Sequence, residues 1–181
     1  DGELSSIASA AKITDQAFDF IKSKIKKGKS EKDLAIELEY YIKKHADDIS
    51  FPPIVAFNEE AAIPHYLPSK NKIITGNTLI LLDFGAKIGG YCSDMTRVVF
   101  LGKPSTQQEK AYNTLLDVHD QLQKELKAIS PISGARLDQI ARRIIKKSGF
   151  PPYPHGLGHG VGLAIHEDPR LRFDKNQVLE P

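Results

Sequence analysis

The chain has 181 residues, 40% of them hydrophobic, with 25 Lys and Arg against 23 Asp and Glu and a formal net charge of +2. That is enough apolar material for one sizeable core and too small a charge to argue for nucleic acid. No apolar run approaches the ~18 residues of a membrane span, the opening DGELSSIASAAK lacks the order of a signal peptide, and the single cysteine, Cys92, cannot close an internal disulfide, so a cytoplasmic single domain is expected.

From Glu3 to Ile25 the residues Ile7, Ala10, Ala11, Ile13, Ala17, Phe18, Ile21 and Ile25 recur at three- and four-residue steps, which predicts an amphipathic helix ended by Gly28. The lysine-rich KSKIKKGKSEK (22 to 32) is read as its solvated end rather than a phosphate site. Ser30 is placed as an N-cap, with Asp33 three residues on, for a second helix reaching about His45. The proline-punctuated stretch from Asp47 to Lys72 reads as short strand and loop. TLILLDF (78 to 84) and YCSDMTRVVF (91 to 100) predict strands around a glycine turn. STQQEKAYNTLLDVHDQLQKELKAI opens with a capping-box-like S-x-x-Q and predicts a long helix, followed by a shorter one from Ala135 to Lys147 that stops at Gly149.

This order repeats. Two helices and FPPIVAF from Phe51 are followed by two more helices and FPPYPHG from Phe150, with YIKK and IIKK closing the second helix of each pair. The fold expected is therefore α+β, two pseudo-symmetric α-α-β halves around an antiparallel sheet. The first half runs from Phe51 to Phe100 before its strands finish, whereas the second, beginning at Phe150, stops at Pro181, so the second half is expected to be incomplete.

The hairpin carries the first chemistry. A turn centred between Ile88 and Gly89 places Asp83 opposite Asp94, among Leu81, Leu82, Val98 and Val99. Like charges directly opposite destabilise a sheet, and buried carboxylates need a shared proton or a cation between them. The alternative is a register shift that leaves both aspartates solvated. Arg97 is expected on the other face, paired with a carboxylate, and Cys92 as a small buried thiol. Aspartate oxygens combined with imidazole suit manganese, cobalt, iron or zinc better than calcium or magnesium, and two carboxylates can bridge two ions. Such a pair ionises a water and polarises a carbonyl, so hydrolysis is the expected reaction class.

HGLGHGVGLAIHEDP (155 to 169) supplies the imidazoles, and glycine at this density is a poor choice for packing. His155 and His159 are four apart, but the glycines between them argue for extended chain and loop rather than helix. One or two of His155, His159 and His166 suit a metal, and the others suit hydrogen-bond donation to substrate or oxyanion. His65, in IPHYLP, reads by itself as a loop residue, and His45 and His119 as helix-surface residues.

LLDFGAKIGGYCSDMTRVV, NEEAAIPHYLP and HGLGHGVGLAIHEDP, in this order, resemble the catalytic domain of the aminopeptidase P, prolidase and methionine aminopeptidase superfamily, which has the pita-bread (creatinase-like) fold. The forms SDMTR and PHY are closer to the Xaa-Pro branch, and the resemblance covers essentially the whole chain. It implies that Asp83 chelates one of two divalent metal ions, manganese first among cobalt, zinc and iron, that Asp94 bridges both, and that His159 binds the other. It implies that His65 and His166 contact the scissile peptide or the tetrahedral intermediate, that His155 lines the substrate pocket, and that the substrate is a peptide with proline in second position. Two glutamate ligands of the family fall beyond the last residue here, and Glu180 in VLEP resembles the segment before the first of them rather than a ligand. The 181 residues contain no stretch resembling the N-terminal domain usual in the Xaa-Pro branch, so a fragment with weak or no activity of its own is expected, its uncovered apolar surface favouring self-association. Two other readings stay open: a pita-bread module that binds peptides or proteins without catalysis, and a metal-independent creatinase-like amidinohydrolase.

Overall fold

The structure, a computed structural model, describes residues 2–128, 131–174 and 177–179. The chain divides into two compact units, Asp1–Pro104 with Val161–Ile165, and Ser105–Gly160 with His166–Pro181.

The first unit opens with helices α1 (Gly2–Lys22) and α2 (Glu31–His45). α1 ends three residues before the expected Ile25, and Gly28 turns the chain with a φ of 87°. α2 starts where expected, because Ser30 and Asp33 form a reciprocal capping box with hydrogen bonds of 3.1 and 2.9 Å. Bonding from the Ser30 backbone and side chain holds the Asp33 carboxyl below its ordinary pKa. The lysine-rich segment is solvated and paired, Lys24 and Lys29 both reaching Glu37.

Two antiparallel sheets follow, one in the order β2 (Ile54–Phe57), β3 (Thr78–Phe84), β6 (Met95–Leu101), the other in the order β1 (Asp48–Ile49), β4 (Ala86–Ile88), β5 (Tyr91–Cys92). β3 alternates strictly: Thr78, Ile80, Leu82 and Phe84 are buried, and Leu79, Leu81 and Asp83 are half-buried. Ile80, Leu82 and Phe84 join Ala17, Ile21, Leu34, Leu38 and Ile42 from the helices in one core, so Asp83 stands on the face away from the helices. Each such fully buried large side chain contributes about 1.5–3 kcal/mol from area removed from water.

The hairpin corrects the expected register. Ile88 pairs with Tyr91 and Lys87 with Cys92, so the turn is Gly89–Gly90, with φ of 58° and 85°. A two-residue hairpin turn of the primed kind needs positive φ at both central residues, which two glycines supply without strain. The register carries through to β3 and β6, where Asp83 pairs with Thr96 and Phe84 with Met95. The single expected strand 91 to 100 is interrupted at Ser93 and Asp94. That step is held by hydroxyls: Thr14 of α1 and Ser93 lie 2.7 Å apart, and the Ala86 amide donates to both, at 3.1 and 3.0 Å. Buried Cys92 behaves as expected, its amide donating to Gly162 at 2.8 Å.

The second unit contains α3 (Thr106–Ala128) and α4 (Gly134–Lys147), with two two-stranded ribbons, β7 (Ile132–Ser133) with β10 (Val178–Leu179), and β8 (Gly158–Gly160) with β9 (Glu167–Leu171). Ser105 and Gln108 cap α3 reciprocally, as their spacing predicts. Its expected last residue, Ile129, and Glu180 lie outside the described residues. Val118, Ala141 and Ile145 centre the core, with Leu122, Ile144, Phe150, Tyr153 and Leu157 against them. The helix pair repeats as expected and a strand again follows it, but later: β2 begins three residues after Phe51, whereas after Phe150 the chain stays irregular until β8 at Gly158. The prolines at 151, 152 and 154 remove three backbone donors from that stretch, which disfavours a ladder.

Candidate functional site

The six candidate side chains divide between the units: His65, Asp83 and Asp94 belong to the first, and His155, His159 and His166 to the second.

Asp83 is half-buried and accepts a hydrogen bond from the Thr96 hydroxyl at 3.0 Å, its partner across the ladder. Thr96 therefore occupies the place expected for Asp94. Asp94 lies at the interruption just before β6, two residues ahead of Thr96, and is exposed. The aspartates are thus neither directly opposite nor both buried, because the Gly89–Gly90 turn sets the ladder two residues away from the expected pairing. Arg97 is exposed and donates to the Thr96 carbonyl at 2.9 Å, where a carboxylate partner was expected. His65 is exposed, in the turn after a 3-10 helix (Asn58–Ala62), with a φ of 56°. Left-handed backbone at a non-glycine residue is uncommon and gathers at functional sites.

In the second unit, the His159 ring meets the His166 ring edge to face, centroids 4.4 Å apart. His159 is half-buried at a bulge between β8 and β9, its Nδ1 3.0 Å from the Gly160 carbonyl oxygen. A carbonyl only accepts, so Nδ1 carries a proton, and the neutral tautomer that fits this contact is the one suited to ligating through Nε2. His155 is exposed, makes the same contact to the Gly156 carbonyl at 2.6 Å, and stacks on Tyr153. His166 is exposed, and its carbonyl accepts from Arg170 at 3.1 Å.

The glycines around these histidines serve the ribbon itself. A Cβ at Gly160 would overlap the carbonyl oxygen of Asp168, and one at Gly156 would overlap the stem of Arg172. What comes close to this backbone is β9 and the residue after it. His45 and His119 are exposed as expected, although with polar neighbours: His45 reaches the Tyr41 carbonyl at 2.8 Å and His119 lies 3.7 Å from Asp120.

Two aspartates and an imidazole fit a first-row transition ion in kind. Among the described residues no three His, Cys, Asp or Glu side chains are grouped to hold a metal ion. Three functional candidates carry no sequence signal that stands out. Thr96 is one of many strand threonines until the register is known. Glu31 and Asp138 are fully buried acids that, in sequence, look like ordinary polar positions at helix starts.

Residues 5–181 match the model of metallopeptidase family M24. The chain is 38% identical to an uncharacterised peptidase, YqhT, of Bacillus subtilis over 99% of its own length and 50% of that protein's. Among solved structures it is similar to an X-Pro aminopeptidase from Thermotoga maritima, with TM-score 0.92 and 35% identity, over 99% of this chain and 51% of that one. It is equally similar to a Xaa-Pro dipeptidase from Bacillus anthracis, with TM-score 0.91 and 38% identity, over 100% of this chain and 51% of that one. The chain thus spans about half the length of the relatives it matches.

Proposed function

Because the chain belongs to metallopeptidase family M24 and has its pita-bread fold over about half the length of its relatives, we propose that it carries part of the site of a metal-dependent exopeptidase that cleaves the bond preceding proline, its two units being halves of one catalytic domain. In this reading Asp83, Asp94 and His159 are ligands to two divalent ions, manganese first. When bound, such ions supply an acidified water and a Lewis acid for the scissile carbonyl. The residues do the rest. Thr96 orients the Asp83 carboxylate by donating to its Oδ1. His65 and His166 donate N–H to the scissile peptide or to the oxyanion that develops on it, and His155 lines the pocket for the substrate. The peptide substrate carries proline in second position; relatives named for the aminopeptidase and for the dipeptidase match almost equally, so both substrate lengths belong to the proposal.

The observation that supports the reading is the His159 ring, whose Nδ1 lies 3.0 Å from the Gly160 carbonyl oxygen, the orientation in which a ligating histidine turns Nε2 toward a metal. The test is hydrolysis of Xaa-Pro dipeptides, Xaa-Pro tripeptides and matched Xaa-Ala peptides by the product of the uninterrupted reading frame. The expected result is cleavage confined to the proline series, abolished by a chelator and restored by manganese. Cleavage of both series alike, or cleavage that survives chelation, contradicts the proposal.

A further inference from the structure

Glu31 and Asp138 are the two fully buried carboxylates among the described residues, and neither belongs to the proposed ligand set. A carboxylate in a dry interior is destabilising unless its oxygens are fully hydrogen-bonded, so an apolar side chain on the inward face of α2 would be the simpler choice.

Glu31 is the first residue of α2, directly after its cap. Its Oε1 accepts from the Phe57 amide at 2.8 Å, and its Oε2 accepts from the Tyr66 hydroxyl at 2.8 Å and the Ser69 amide at 3.0 Å. The first-turn amides reciprocate, Glu31 donating to the Lys72 carbonyl at 3.1 Å and Lys32 to the Ser69 carbonyl at 3.2 Å. One side chain thus ties together residues 57 and 69, the two ends of the segment that carries His65. That segment contains the two described non-glycine residues with left-handed backbone, Asn58 at 51° and His65 at 56°. Such a conformation is strained at a residue with a Cβ and persists where the surroundings over-determine it.

The device recurs in the other repeat. Asp138, one turn into α4, accepts from the Tyr153 hydroxyl at 2.5 Å, the Phe173 amide at 2.8 Å and the Arg142 guanidinium at 3.1 Å. Arg142 in turn donates to the carbonyls of Tyr153 at 2.9 Å and His155 at 2.5 Å. In both units a buried acid on the second helix takes a tyrosine hydroxyl and a phenylalanine amide, and a candidate histidine lies within two residues of that tyrosine.

We propose that Glu31 is a positioning residue: through Tyr66 and the Phe57 and Ser69 amides it holds His65 in the left-handed turn from which His65 acts on the substrate. The inference rests on the reading of His65 as a group that contacts substrate. Its test uses Tyr66→Phe, which removes one of the three hydrogen bonds and keeps the ring, with Glu31→Gln as the stronger variant where it folds. On the 181-residue chain, Tyr66→Phe is expected to speed amide hydrogen exchange of residues 57 to 69 about tenfold or more while leaving β3 and α1 unchanged. In the product of the uninterrupted reading frame it is expected to lower kcat about tenfold with KM and manganese dependence unaltered, and to cost less than about twofold once His65 is already alanine. Unchanged exchange overturns the inference, as does an equal loss of kcat with and without His65, which is the mark of general destabilisation. If His65→Ala alone leaves kcat intact, the role assigned to His65 fails and the inference falls with it; that failure is seen in the single variant and is separable from the other two.

Discussion

Tyr66 links the buried chemistry of the first unit to a measurable property. Burial, with the Glu31 carboxylate 2.8 Å away, pushes its phenol up to about 12, and Tyr153 is raised well beyond the ordinary range by burial and by Asp138. A group whose pKa is higher folded than unfolded contributes stability that is complete below the unfolded value of about 10 and is lost as pH rises through the folded value. The urea midpoint of the chain is therefore expected to fall between pH 10 and about 12, and to fall less steeply in Tyr66→Phe, which has no phenol to titrate at this site. Identical slopes would mean that Tyr66 donates nothing to Glu31 in solution. At this scale the sequence showed the chemistry of the candidates but not their surroundings. Asp83 and His159 stood out through their motifs, whereas Thr96 and Glu31 acquire meaning only when the ladder and the loop bring distant residues against them.

At the scale of the element, the β8–β9 ribbon tests why glycine is dense around the histidines. Gly160→Ala would drive a Cβ into the Asp168 carbonyl, and the facing strand must shift to admit it. A loss of about 1–3 kcal/mol is expected, the usual range for overpacking, read from urea midpoints. Gly158→Ala is the internal comparison, because its Cβ would rest 3.6 Å from a Leu171 methyl, an ordinary contact, and its midpoint should move little. Equal effects would mean that the glycines are not there for the facing strand. Elements with strong local signals were legible in advance: the capping boxes of α2 and α3, and the strict alternation of β3. The hairpin register was misread by two residues although its signal, Gly89–Gly90, lay in the sequence, because the turn was centred one residue early and positive φ at both glycines was not required of it. The irregular chain after Phe150 was concealed by a matching FPP, whose meaning depends on the further proline at 154.

For the molecule as a whole, the repeated helix pair and the order of three motifs were enough to reach the fold and the family, since both depend on patterns spread along most of the chain. No helix among the described residues is long and apolar enough to cross a membrane, in keeping with the composition. Ligand geometry was not legible in the same way, because it depends on which residues face each other across a register that composition and periodicity leave open. The central claim is that Asp83, Asp94 and His159 bind divalent metal, and the most direct measurement is manganese stoichiometry, by electron paramagnetic resonance of free ion, for the product of the uninterrupted reading frame and its Asp83→Asn variant. Two ions per chain are expected for the parent, and fewer for the variant with its circular dichroism unchanged. Equal stoichiometry in the two proteins, or no binding by the parent, would contradict the account.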